Sequence, residues 1–100
     1  MKIKICVDID LKEIVPLFLE NRQQDIRLLE SALDAQDLDT IRRLGHTMKG
    51  AGASYGFPAI SDMGRAIEAA AISGALPAIV KKKEELAQFL AQVEIEFVRK

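Results

Sequence analysis

The chain has 100 residues, of which 49% are hydrophobic and 29% charged, and its net charge is −1 at pH 7. This length and composition predict one soluble globular domain with a single hydrophobic core. The 14 Lys and Arg residues nearly balance the 15 Asp and Glu residues, which argues against nucleic acid as the main partner, because such binders need a cationic excess. One cysteine, Cys6, and one histidine, His46, cannot form an internal disulfide or a Cys/His metal cluster. We therefore expect no metal or other cofactor in this chain.

The N-terminal residues resemble neither a signal peptide nor a membrane anchor. Lys2, Lys4, Asp8 and Asp10 interrupt the short apolar positions, and no apolar segment reaches the roughly 18–20 residues needed to cross a bilayer. We expect a cytoplasmic, monomeric protein, and Met1 with a short N-terminal extension favours a free-standing one.

Residues 1–9 alternate polar and apolar side chains, which predicts a half-buried extended segment. Helices are predicted at residues 11–15, 16–35, 38–54, 58–73 and 77–98. Asp10 can cap the first, and Pro16, Pro58 and Pro77 fit early helical positions, where no N–H is needed. Four long helices with short connections predict an all-α fold, an antiparallel up-down-up-down four-helix bundle with a short extra N-terminal helix.

Each long helix has one apolar stripe at three- and four-residue steps. The stripes are Phe18, Ile26, Leu29 and Leu33; Ile41, Leu44, Met48 and Ala51; Ile60, Met63, Ile67 and Ala71; and Ile79, Leu86, Leu90, Val93 and Phe97. Arg22 and Asp25 are predicted to lie outside, on the solvent-facing side of their helix.

His46 lies roughly opposite the apolar stripe of helix 38–54, since each residue advances about 100° around a helix. The sequence therefore predicts an exposed histidine, although a single histidine is most often structural or merely solvated. Its neighbours at helical steps are cations and small residues: Arg42, Arg43, Lys49, Gly50 and Ala53.

Three glycines in this one helix need a reason, because each costs about 1 kcal/mol relative to Ala in a helix interior. Gly50 lies near His46, and the close approach of another molecule would explain it. Gly45 and Gly52 lie nearer the packed side, where we expect close contact between helices.

Residues 45–50 (GHTMKG) and 54–57 (SYGF) resemble the signature of histidine-containing phosphotransfer (Hpt) domains. In that family Lys and Gly follow the histidine at three and four positions, and a further glycine stands at the turn into the next helix. Lys49, Gly50 and Gly56 match these positions. Residues 10–11, 18–22 and 67–68 also resemble bacterial members, so the resemblance covers most of the chain.

The resemblance implies a role for each matched residue. His46 would accept the phosphoryl group. Lys49 would stabilise the negative charge of that group, although it could also be an ordinary solvated lysine. Glu68, beside the apolar stripe of its helix, could orient the imidazole through a hydrogen bond, although it could also be a plain solvated glutamate. Gly56 would serve the turn by allowing a positive φ.

Several residues around His46 are candidates for contact with a partner. Gly50 and Ala53 would leave room for it. A second group is Arg42, Arg43 and Arg65, whose positive charge would attract an acidic pocket of the partner. These three could equally well be ordinary solvated arginines.

The chain has no glycine-rich phosphate loop and no catalytic acid pair, so a partner must supply any catalysis. The resemblance then implies a phosphoryl carrier and not an enzyme. The resemblance implies response-regulator receiver domains or a hybrid histidine kinase as partners, with Mg²⁺ bound by the receiver. The predicted function is to relay a phosphoryl group between receiver aspartates through His46. Two alternatives are a docking module that regulates a kinase or receiver without carrying phosphate, and an enzyme with His46 as general base, which lacks a convincing second catalytic group.

Overall fold

A computed structural model describes residues 2–99; Met1 and Lys100 lie outside the described residues. The elements are the strand β1 (Ile3–Asp8), a 3-10 helix (Ile9–Leu11), α1 (Val15–Asp34), α2 (Leu38–Ser54), α3 (Pro58–Ser73), α4 (Leu76–Gln92) and the strand β2 (Val93–Val98). Consecutive helices pack against each other and α1 packs against α4, which confirms the predicted all-α four-helix bundle. Within residues 2–99, no helix is both long and apolar enough to cross a membrane.

Local signals define the ends of the long helices. The Asp37 carboxylate caps α2, where it accepts hydrogen bonds from the Thr40 amide at 3.2 Å and the Thr40 hydroxyl at 2.6 Å. A proline stands in the first turn of α1, α3 and α4, and α3 ends at Gly74, whose φ of 72° is left-handed. These helices consequently begin within one residue of the predicted positions.

The short N-terminal helix is present, but its predicted bounds, residues 11–15 with Asp10 as cap, are wrong. It is a 3-10 helix at Ile9–Leu11, and the cap is Asp8, whose carboxylate accepts a hydrogen bond from the Asp10 amide at 2.9 Å. Because Asp8 ends the strand β1, the cap also fixes the point at which the extended segment turns towards the bundle.

The last helix is shorter than predicted, because α4 ends at Gln92 and residues 93–98 form β2. This strand pairs in parallel with β1, in a register that runs from Ile3 opposite Val93 to Asp8 opposite Val98. Ile3, Ile5 and Val7 of β1 and Val93, Ile95 and Phe97 of β2 pack in or against the core. Exposed ion pairs join the strands on the other side, Lys2 to Glu94 at 3.0 Å and Lys4 to Glu96 at 3.1 Å. The alternation of residues 93–98 therefore has period two and matches the extended N-terminal segment, which the sequence did predict.

The prediction that Arg22 and Asp25 face solvent is wrong, since both are buried. The Arg22 Nε donates to the Asp25 carboxylate at 2.7 Å, and the guanidinium lies 4.9 Å from the centre of the Phe18 ring. Burial raises the pKa of Asp25 above its ordinary value, although Arg22 opposes this. The pair is tolerated inside α1 because each charge has its partner and the arginine stacks on an aromatic ring.

The core contains the predicted stripe residues Leu29, Ile41, Met48, Ile60 and Ile67, all fully buried. Phe57, which lies between the two predicted helices 38–54 and 58–73, is also fully buried and stacks on Phe18 with 4.8 Å between ring centres. The α2–α3 connection is therefore anchored in the core, and this anchor holds the two helices that carry the candidate site.

Candidate functional site

The site lies on α2 and α3, which approach closely along a line of glycines. Gly45 and Gly52 of α2 and Gly64 of α3 are buried in the contact, as expected for the first two. A Cβ added at Gly45 would lie 2.6 Å from the Glu68 amide nitrogen, and one at Gly52 would lie 2.5 Å from that of Ser61. The two backbones are thus in direct contact, and side chains of either helix can reach the other.

His46 is exposed on α2, as predicted, with 66% of its side chain accessible. Its Nδ1 lies 2.9 Å from Oε2 of Glu68 on α3. The opposite ring nitrogen, Nε2, is left for a group arriving from solvent.

Glu68 accepts from two site residues at once. Its Oε1 accepts a hydrogen bond from the Lys49 ammonium at 2.8 Å, and only 16% of its side chain is accessible. The bond from Lys49 and then the bond from His46 lower the pKa of Glu68 below its ordinary value of 4.5. The ionised Glu68 therefore stabilises the folded protein above pH 4.5, and this contribution is lost as the pH falls through the lowered pKa.

The charge on Glu68 determines the tautomer of His46. An ionised carboxylate can only accept hydrogen bonds, so Nδ1 must carry the hydrogen that joins the two residues. In the neutral ring Nε2 then has its lone pair free. The arrangement presents an oriented nucleophilic nitrogen at the surface of the bundle.

Lys49 lies one turn after His46, as the sequence indicates, but its ammonium is held by Glu68. One third of the side chain remains accessible. The lysine is thus next to the ring with its position fixed through the same carboxylate that orients the imidazole.

Arg43 and Arg65 are exposed and Arg42 is partly buried, and each of the three forms an ion pair with a nearby aspartate. Arg42 and Arg43 contact Asp39 at 3.2 and 3.0 Å, and Arg65 contacts Asp62 at 3.5 Å. Their positive field is therefore partly offset, and exposed pairs of this kind contribute little to stability.

The predicted small residues are where the sequence places them. Gly50 and Ala53 are exposed on the face of α2 that carries His46, and a Cβ added at Gly50 would meet no atom within 4 Å. Gly56 has a φ of 82°, in the left-handed region, as its predicted turn role requires.

Sequence reasoning missed two residues of α3, Ser61 and Gly64, that contact the backbone of Lys49 in α2. The buried Ser61 hydroxyl donates to the Lys49 carbonyl at 2.8 Å, and Gly64 lies against the Lys49 backbone. The small residues Ser61 and Gly64, about one helical turn apart, were the available signal. The described residues, 2–99, contain no group of three or more His, Cys, Asp or Glu side chains placed to hold a metal ion.

The fold and the site together define a helical bundle that presents one oriented histidine. Residues 13–96 match the Hpt domain family, so the chain belongs to that family. Searches of curated proteins and of solved structures gave no significant match. Membership gives the chain a general role in phosphotransfer, and implies interaction with phosphorelay receiver or kinase partners.

Proposed function

We propose that this protein relays a phosphoryl group from the aspartate of one receiver domain to the aspartate of another, through Nε2 of His46. The observation that carries the proposal is the exposed imidazole whose Nδ1 is bound to Glu68 at 2.9 Å. A carrier needs an accessible nucleophile in one tautomer, and this hydrogen bond provides it.

In the transfer step, the Nε2 lone pair attacks phosphorus and forms an N–P bond. The P–O bond to the receiver aspartate breaks, and the carboxylate leaves with the electron pair. No proton needs to move, because Nδ1 keeps its hydrogen and the phosphorylated ring becomes a cation beside the Glu68 carboxylate. The reverse step passes the group to the next aspartate.

Lys49 would stabilise the phosphoryl oxygens from one turn along α2. Its ammonium already lies at the site, 2.8 Å from Oε1 of Glu68, so only a side-chain rotation is required to meet an incoming oxygen. Positive charge placed where negative charge gathers lowers the barrier to phosphoryl transfer.

The receiver would dock over the exposed face of α2. Gly50 and Ala53 offer little obstruction there, and Arg42, Arg43 and Arg65 would favour the acidic pocket in which a receiver holds Mg²⁺. The metal and the catalytic groups belong to the partner in this proposal.

The experiment is a transfer assay with purified phosphorylated receivers, using the parent and His46→Gln. The parent is expected to take up an acid-labile, base-stable phosphate that maps to His46, and the variant to take up none. If the parent binds the receivers but never becomes phosphorylated, the regulatory docking module is the correct function. Phosphate on the variant would exclude His46 as the acceptor.

A further inference from the structure

Gly45 and Gly64 face each other across the α2–α3 contact with no space for a side chain. A Cβ added at Gly45 would lie 2.6 Å from the Glu68 amide nitrogen and 2.8 Å from the Gly64 carbonyl oxygen. One added at Gly64 would collide with the Lys49 amide nitrogen and lie 2.7 Å from the Gly45 carbonyl oxygen. All of these are backbone atoms, so they cannot rotate away, and any side chain must push the helices apart.

The blocked backbone atoms belong to residues of the polar cluster itself. Gly45 directly precedes His46 and abuts the backbone of Glu68, while Gly64 abuts the backbone of Lys49. The local separation of the helices therefore sets how far the Glu68 carboxylate is from the imidazole and from the ammonium.

The geometry leaves little tolerance. Ordinary van der Waals contact for a Cβ begins near 3.4 Å, whereas the space at Gly45 ends at 2.6 Å. To accommodate a Cβ, the two helices would have to separate by the difference between these two distances. If the 2.9 Å between Nδ1 and Oε2 grew by the same amount, it would exceed the 3.5 Å at which such hydrogen bonds are effectively lost.

We propose that Gly45 and Gly64 are positioning residues, which bring α2 and α3 close enough for Glu68 to hold His46 and Lys49 together. The importance of this alignment for transfer rests on the proposed function, but the alignment itself does not. It is measurable in the free, unphosphorylated protein.

The test compares Gly64→Ala with a matched control, Gly50→Ala, which makes the same change at an exposed helical glycine with open space. The readouts are the ring tautomer of His46 from ¹⁵N chemical shifts and the titration of the Glu68 carboxyl by ¹³C NMR. In Gly64→Ala we expect a mixed tautomer and a Glu68 pKa raised towards 4.5, and in Gly50→Ala neither change. A folded Gly64→Ala with the parental tautomer and the parental Glu68 pKa would overturn the proposal.

If Gly64→Ala does not fold, a second variant, Glu68→Asp, tests the same proposal. Glu68→Asp leaves the glycines intact and shortens the side chain by one carbon–carbon bond, about 1.5 Å. If close approach is required for the contacts, the shorter carboxylate should lose the single tautomer. If it keeps both the tautomer and a depressed carboxyl pKa, the parent has reach to spare and the proposal is wrong.

Transfer kinetics then separate positioning from docking. Gly64 is buried, so Gly64→Ala should leave the receiver concentration at half-maximal rate unchanged while lowering the single-turnover rate about 10- to 100-fold, as expected for a misplaced reacting group. A changed half-maximal concentration with an unchanged maximal rate would contradict a positioning role. If the parent accepts no phosphate at all, the proposed function fails while the NMR result still decides the role of the glycines.

Discussion

Replacement of Gly50 by Gln should move stability and receiver binding in opposite directions. A Cβ at this position would meet no atom within 4 Å, so a side chain costs nothing in packing. Removal of a glycine from a helix interior contributes up to about 1 kcal/mol to the free energy of unfolding. In a domain of about 100 residues this raises the melting temperature by about 4–8 °C.

The same side chain would stand one turn from His46, on the face over which a receiver must bring its phosphorus to within about 3–3.5 Å of Nε2. We expect the apparent affinity for the receiver to fall at least about tenfold, a loss of about 1.4 kcal/mol. Compared with Gly50→Gln, Gly50→Ala should stabilise the protein more, because Ala has the highest helix propensity. It should also weaken receiver binding less, because its side chain is shorter.

Thermal melts by circular dichroism and single-turnover transfer over a range of receiver concentrations measure both effects. If Gly50→Gln is stabilised yet binds and transfers as the parent does, the receiver does not approach over Gly50. If Gly50→Ala is destabilised, the position is not the unobstructed helix interior that the structure describes.

Three other predictions test the acceptor, its orientation and the buried ion pair. His46→Gln should abolish phosphate uptake yet change the free energy of unfolding by no more than about 0.5 kcal/mol, since the side chain is 66% accessible; urea denaturation measures this. Glu68→Gln should keep most of the transfer rate, because its amide oxygen can still accept from Nδ1, whereas Glu68→Ala should not; equal rates for Ala and the parent would remove the orienting role. Asp25→Leu should destabilise the bundle by about 3–5 kcal/mol, because it leaves Arg22 charged and buried, and Arg22→Met combined with Asp25→Leu should cost much less in the same denaturation assay.

The helices could be predicted because their signals are local. Prolines at the starts, Asp37 as a cap and Gly74 as a stop act within one turn of the chain, so they work in the same way in any tertiary setting. The exposure of His46 followed similarly, from its angle on a helix whose opposite face is apolar. The placement of Gly45 and Gly52 in a tight helix contact was also a consequence of that angle.

The C-terminal strand was predicted wrongly, as the end of the last helix, because its local pattern fits both structures. Val93 and Phe97 are four residues apart, which fits a helical stripe, but residues 93–98 also alternate with period two. Only the presence of β1 alongside, with its matching alternation and the ion pairs of Lys2 with Glu94 and of Lys4 with Glu96, decides for the strand. A strand depends on a partner that is distant in the chain, and its pairing is absent from a local window.

The sequence by itself determined four long helices, the exposure of His46 and the open position of Gly50 near it, because periodicity and capping are properties of neighbouring residues. Only the tertiary structure decided that Arg22 and Asp25 are buried as a pair, and that Glu68 binds His46 and Lys49 together. These contacts depend on the distance between helices, which the small residues on both α2 and α3 set jointly. A helical angle gives the direction of a side chain, but whether it reaches its partner is decided by how closely the two backbones pack.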